Sequence, residues 1–394
     1  MAAEASHTAR KNIGYCTNVH AGATLDQTRE NLRTHAVLVR NAMGLDGPLP
    51  IGLWLSAGAV GEIVSTDGAT AFADWLHGAG LDVFTINGFP YGDFHRPVVK
   101  HDVYRPDWST PRRLAYTLDL ARILAAIRPD GEGGISTLPL GWGPWMTDDA
   151  VTAAAANLRK AALALADIEQ ATGVLVHLDL EPEPGCSLQR ATDVVSLFER
   201  HLLTGTDDDL IRRHLRVCHD ICHAAVMFED QAAMLGAYDS AGVLVGKVQV
   251  SSAVRARFDD DDDPDAVRDA LGCFGERRYL HQTMVRTERA DEPVFYEDLP
   301  DALASATPAG EWRVHFHVPI FLDRLGPLRT TADEIDTWLL LVRDRPEICH
   351  FEVETYAWDV MPAEHKRTLA DDIAAELRWL DGRLGTGTAV GGAE

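Results

Sequence analysis

The side chains with the most chemical potential come in short, regularly spaced groups. VLVHLDLEPEPG carries His177, Asp179 and Glu181 at alternate positions, with Val176, Leu178 and Leu180 in register with them. A strand turns successive side chains to opposite faces, so the three polar groups share one face. Glu181 comes last, directly before Pro182. An acid at the inward end of a strand needs a partner, and a cation is one that fits. Glu183 reads as a solvated loop acid.

HDICHAA sets Asp220 and His223 three residues apart at a strand-to-helix corner. One turn can aim both at a single centre. A carboxylate with a neutral imidazole suits Zn, Mn, Co or Fe. The plainer reading is an N-cap aspartate with a packed histidine. In GKVQVSS, Lys247 and Gln249 share a face. Gln249 can offer its amide oxygen to a metal or to a sugar hydroxyl, and Lys247 can bind an anionic or enolate oxygen. HFHV places His315 and His317 together, as ligands or as donors to a bound oxygen. FEVETY places Glu352 and Glu354 together, with Glu354 nearer the open end. Three acids (Glu181, Asp220, Glu354), three imidazoles (His223, His315, His317) and the Gln249 amide at strand ends call for charge compensation, which a divalent cation supplies.

These residues need a scaffold, and the chain alternates short apolar runs with longer Ala/Leu/Arg-rich segments, the rhythm of βα units. Strands are expected at Ile13–Val19, Ile51–Leu55, Leu81–Ile86, Gly134–Leu138, Val174–Leu180, Leu215–Cys218, Leu244–Val250, Trp312–Val318 and Ile348–Thr355. Helices are expected at Thr24–Met43, Gly68–Ala79, Pro111–Ile127, Thr147–Thr172, Gln189–Leu203, Asp220–Ala237 and Thr331–Leu341. Thr24, with Gln27 three residues on, reads as a capping box. One strand is surplus to an eight-stranded barrel. The expected fold is therefore an α/β (β/α)8 TIM barrel, whose active site is built by the C-terminal strand ends. It is read as a single domain over residues 12–385, enlarged at 251–345 by an excursion with an extra strand before the last barrel strand. Residues 1–11 and 386–394 are read as flexible termini. An open doubly wound sheet is the alternative, but no GxGxxG or GxxxxGK[ST] motif follows any strand.

The 394 residues hold 60 Asp+Glu against 36 Lys+Arg, a formal charge of −24. Such a balance, with no concentrated basic tract, argues against a nucleic-acid partner. The run Asp259–Asp263 reads as a solvated loop rather than a metal cluster. The six cysteines form no CxxC pair, the first residues lack an apolar core, and no run of about 18 apolar residues occurs. A cytoplasmic protein without a signal peptide or membrane span is expected. Phe89, Tyr91, Trp142, Trp145, Tyr356 and Trp358 are candidates for an aromatic mouth, against ordinary rim packing. Arg96, Lys100 and Arg105, and more weakly Arg278 and Arg286, are candidate anion clamps, against surface salt bridges.

The strand-end pattern resembles the xylose-isomerase-like barrel superfamily of sugar and sugar-phosphate isomerases, ketose epimerases and endonuclease-four-type enzymes. GYCTNVHAG, TINGFPYGDFH, STLPLGW and HLDLEPEPG resemble, more closely, the EboE family of metabolite-traffic proteins. The resemblance spans about residues 12–385. It implies a metal held by Glu181, Asp220, His223 and Glu354, with Gln249 where the superfamily has a histidine and His315 or His317 able to restore a nitrogen ligand. It also implies Mn or Zn as the cofactor, with Mg or Co as other options. Glu181 and Glu354 would then exchange a proton beside a substrate carbonyl, with Lys247 and His317 stabilising the negative charge. The implied partners are a small-molecule substrate and other proteins of a metabolite-traffic pathway, and a homodimer is compatible. A non-catalytic metabolite carrier and a metal-dependent hydrolase are the rival readings.

Overall fold

The computed structural model describes residues 11–385, apart from 66–67, 130, 259–262, 289–290, 357, 359–360 and 362–367. Most of the Asp259–Asp263 run and nearly all of both expected flexible termini lie outside the described residues.

Eight strands close into a parallel barrel. They are β1 (Asn12–Cys16), β2 (Leu49–Trp54), β3 (Leu81–Asn87), β4 (Glu132–Thr137), β5 (Leu175–Leu180), β6 (Leu215–Asp220), β7 (Val245–Val250) and, after a long interval, β14 (His350–Val353). Their order is β1-β14-β7-β6-β5-β4-β3-β2, closed on itself. The expected TIM barrel is thus the fold. Local chemistry sets its helices. The Thr24–Gln27 capping box is formed in both directions. Pro111 starts Pro111–Ile127 where its missing N–H costs nothing. The Ala-rich helix Asp148–Thr172 ends at Gly173, whose φ of +77° a side chain would resist.

The interior of the barrel departs from the usual Val/Ile/Leu filling. His177, Asp179, Lys247 and Glu352 point inward and are fully buried. Glycines make the room. A Cβ on Gly52 would fall 1.6 Å from Glu352 Oε2, and one on Gly134 would fall 2.3 Å from Asp179 Oδ2. The β6–β7 register also slips between Val217 and Cys218, so that Cys218 pairs with Lys247 and Asp220 with Gln249.

The excursion before β14 is larger than a single extra strand. It builds a six-stranded sheet from β8 (Ser252–Arg257), β9 (Thr283–Arg286), β10 (Val294–Tyr296), β11 (Glu311–Val318), β12 (Arg324–Leu325) and β13 (Leu328–Thr330), in the order β10-β9-β11-β8-β13-β12. One face carries Val254, Ala256, Val285, Trp312 and Val314 into a second apolar core. Only β11 has the length and apolar content to be read as a strand from sequence; the others are short or rich in arginine. The expected helix Asp220–Ala237 is two helices, Ile221–Val226 and Gln231–Ala241, broken where Phe228 takes φ +55° and Asp230 caps the second. Helices at Ala57–Ser65, Asp208–His214, Pro264–Gly272, Leu299–Ser305 and Leu369–Leu384 were not anticipated. Among the described residues no helix is long and apolar enough to cross a membrane.

Candidate metal centre

A pocket opens at the C-terminal ends of the barrel strands. The strand ends bring Glu181 (after β5) and Glu354 (after β14) to it, and β11 of the second sheet brings His315 and His317 down from above. His223 joins them from the first turn after β6. Asp220 is the helix N-cap, and one of its oxygens is left over. Its Oδ1 caps the helix by accepting the His223 N–H at 2.9 Å and the Ser251 hydroxyl at 2.8 Å, while its buried Oδ2 has no hydrogen-bond partner.

Two kinds of donor set overlap here. Glu181, Asp220 and Glu354 form a carboxylate cluster whose ligand atoms lie within 4.8 Å of one another. Asp220, His223 and His317, Glu183, His223 and His315, and Cys222, His315 and His317 form nitrogen-rich clusters within the same limit. A metal-binding cluster of His, Glu, Asp and Cys is therefore present. Glu181 Oε2 and both amide atoms of Gln249 are also buried without partners. Gln249 is level with Asp220 on β6 and Glu352 on β14, so its amide belongs to the floor beneath the carboxylates. Orphaned oxygens on two acids and an amide are what a hard divalent cation would satisfy.

The electrostatics agree. Burial, reinforced by Glu354 and Asp220, pushes the Glu181 carboxyl well up. Burial, with Asp220 and Glu352, raises Glu354 to about 8. Burial also opposes ionisation of Asp220, but His223, His317 and the donors on Oδ1 outweigh it and hold this carboxyl low. Burial keeps His317 neutral, at about 4, and His315 well below the usual imidazole range.

Several sequence expectations need correction. Glu183 is not a solvated loop acid: it is buried and accepts from the Tyr104 hydroxyl at 2.7 Å and from Gln282 Nε2 at 2.9 Å. Lys247 does not reach the pocket wall. It sits one layer deeper, 3.0 Å from Glu352 Oε1 and 3.1 Å from Ser136 Oγ. His317 donates its Nδ1–H to the Glu354 carbonyl oxygen at 2.7 Å, so the nitrogen left over accepts and cannot stabilise an anion by donating.

Among the expected aromatics, Phe89 and Tyr356 line the pocket, joined by Phe94, Tyr104 and Tyr279. Trp142 instead stacks on Tyr104, Trp145 lies under Arg105, Tyr91 packs on Tyr116 and Trp358 enters the second core. Of the expected clamps, Lys100 reaches the pocket but is ion-paired with Asp298, and Arg96 pairs with Asp102. Arg286 belongs to the second sheet, 3.5 Å from Glu311.

Two further site residues carry a signal that the sequence does hold. Asn18 and Asn87 stand at the C-terminal ends of their strands and both donate to Glu354 Oε1, at 2.7 and 2.9 Å. Their signal was position. Gln282 and Cys222 carried no such signal, since only the folding-over of the second sheet brings Gln282 to the site.

No protein-family model and no curated protein matches the chain. Solved structures do. A xylose-isomerase-like TIM-barrel protein from Mycobacterium smegmatis, in complex with magnesium, superposes with a TM-score of 0.50 at 12% identity, over 96% of this chain and 98% of its own. A xylose isomerase domain protein from Alicyclobacillus acidocaldarius matches with a TM-score of 0.43 at 10% identity, over 95% and 99%. The IOLI protein with a binding zinc atom matches with a TM-score of 0.45 at 9% identity, over 95% and 98%. At these identities the likeness is one of fold: the chain is built as a xylose-isomerase-like TIM barrel.

Proposed function

We propose that this chain is a divalent-metal-dependent isomerase or epimerase that moves a proton beside the carbonyl of a small sugar-like or keto metabolite. The observation that carries the reading is one buried carboxylate cluster of Glu181, Glu354 and Asp220, with the two glutamates lining the pocket. Three adjacent carboxylates do not all stay ionised in a buried site without a cation. Glu181, Asp220, Glu354 and the Gln249 amide oxygen suit Mn or Mg, and an added imidazole shifts the preference towards Zn or Co. When bound, the ion supplies Lewis acidity to the substrate carbonyl.

The chain's own groups do the rest. One of Glu181 and Glu354, ionised, can take the proton, while the other, which burial helps to keep protonated, gives one back. Asn18 and Asn87 occupy Oε1 of Glu354 and leave Oε2 for other work. Lys247 acts by its field from the layer below, where it favours the ionised forms of both glutamates. The aromatic walls exclude water around the reacting carbons. A place among the EboE-type metabolite-traffic proteins, in a cytoplasmic pathway with partner proteins, rests on the four resembling tracts.

Metal-loaded protein in deuterated water is expected to exchange the C–H next to the carbonyl of simple hydroxyketones, read by NMR. Glu181→Gln and Glu354→Gln should each lower exchange by about 10²-fold or more. A bound metal with no exchange across a panel of ketoses and hydroxyketones would sink the isomerase reading in favour of a carrier.

A further inference from the structure

The pocket has two chemically distinct parts. Glu181, Glu354, His223, His315 and His317 supply its polar part, with Asn18 and Asn87 bound to Glu354. The rest of the lining is mainly apolar. Phe89, Phe94, Val99 and Val103 come from the segment after β3, and Tyr279 and Leu280 from the segment leading into β9. The rings from the two segments interlock. Phe94 packs on Tyr279 at 4.9 Å and on Tyr356 at 5.4 Å, and Tyr356 packs in turn on His317 at 4.9 Å. The apolar lining therefore runs directly up to the polar part.

The polar groups among these residues already have partners. The Tyr104 hydroxyl donates to Glu183 Oε1 at 2.7 Å and accepts from Gln282 Nε2 at 2.8 Å. The Tyr279 hydroxyl donates to the Phe94 carbonyl oxygen at 3.1 Å. Lys100 is the one lysine or arginine among the described residues that line the pocket, and it is ion-paired with Asp298. A sugar carries a hydroxyl on almost every carbon, and each one buried here without a partner lowers affinity about tenfold or more. A phosphate brings further negative charge to a lining that already holds Glu181, Glu183 and Glu354. An apolar group gains instead, since each methylene taken out of water raises affinity about fourfold.

We infer that the substrate is an uncharged hydroxymethyl ketone whose carbonyl carries an apolar substituent in place of a polyol chain or a phosphate ester. Its hydroxyketone end meets the acids and imidazoles, and its substituent lies among Phe94, Val99, Val103 and Leu280. This narrows the isomerase reading above to its keto arm, and it rests on that reading for the carbonyl.

Calorimetry on the metal-loaded full-length protein compares hydroxyacetone, benzyl hydroxymethyl ketone, fructose and dihydroxyacetone phosphate. The benzyl ketone is expected to bind about tenfold or more tightly than hydroxyacetone, and fructose and the phosphate no more tightly than hydroxyacetone. Val103→Asn sets an amide in the apolar lining and should reduce the preference for benzyl ketone over hydroxyacetone about tenfold. Tighter binding of fructose or the phosphate than of the benzyl ketone, equal binding of the benzyl ketone and hydroxyacetone, or a preference that Val103→Asn leaves intact would overturn the inference. Exchange of the C–H beside the carbonyl, followed by NMR in the same samples, tests the isomerase reading separately. The expected binding order without exchange removes the proton transfer and leaves the apolar ligand class standing.

Discussion

Lys247 Nζ lies 3.0 Å from Glu352 Oε1 inside the closed barrel, and both side chains are fully buried. Burial pulls the Lys247 ammonium towards neutrality, but Glu352 and the neighbouring ionisable groups outweigh it and hold the lysine charged. Removing one partner strands the other's charge, so Lys247→Met is expected to cost about 3–5 kcal/mol. Lys247→Met combined with Glu352→Leu should recover much of that loss. Urea unfolding of the single and double variants checks it; equal losses in both would show that the pair is not coupled.

Glu376, which does not line the pocket, offers a pH test. It accepts from the Ile320 N–H at 3.2 Å and the Thr355 hydroxyl at 2.6 Å, and burial raises its carboxyl to about 8. Between the ordinary carboxylate range and pH 8 the folded state holds a proton that the unfolded state has released. This group's contribution therefore falls as pH rises through that window. Glu376→Gln keeps an acceptor without the charge. It should be more stable than the parent at pH 8, by on the order of 1–3 kcal/mol, and gain little at pH 4. Parallel stability–pH curves for the two proteins would refute the assignment.

The second sheet has its own electrostatic hub. Glu311 is nearly buried and lies 2.6 Å from Arg313 and 3.1 Å from Arg257, with Arg255 and Arg286 at 3.7 and 3.5 Å. Arg255 keeps Asp333 and Arg313 keeps Glu334, but Glu311→Leu removes the carboxylate that all four arginines share, and should cost about 3 kcal/mol and expose the sheet to limited proteolysis. Unchanged melting and proteolysis would show that the arginines find other partners.

Asn87→Leu removes one of the two amide donors on Glu354 Oε1. Its effect should fall on metal affinity, about 10–100-fold weaker by calorimetry, with little change in the apparent melting temperature of the metal-free protein. A variant that binds metal as tightly as the parent would show that Asn18 alone holds the carboxylate.

The barrel was legible because two of its signals are local. Alternation in VLVHLDLEPEPG showed which side chains turn inward, and Ala-rich or capped segments such as Asp148–Thr172 showed where the crossovers run. Glu181, Asp220 and Glu354 could be picked out by their place at strand ends. The roles of Glu183, Lys247 and His317 depend on depth and on partners far away in the chain. Glu183 meets Gln282 from the second sheet, 99 residues on, and Lys247 meets Glu352 from the last strand, 105 residues on. Most of the second sheet escaped notice because strands of two to six residues, several with arginines on one face, gain their stability from neighbours rather than from their own pattern.

By itself the amino-acid order determined a βα repeat with acids and imidazoles at strand ends, since periodicity and turn chemistry act over a few residues. It left open how those groups divide. Only closure of the barrel and the fold-over of β11 decided that oxygen donors gather on the floor and nitrogen donors beside them. Which nitrogen of His317 is bare was settled by the Glu354 carbonyl oxygen. That contact is set by three-dimensional packing, to which spacing along the chain is blind.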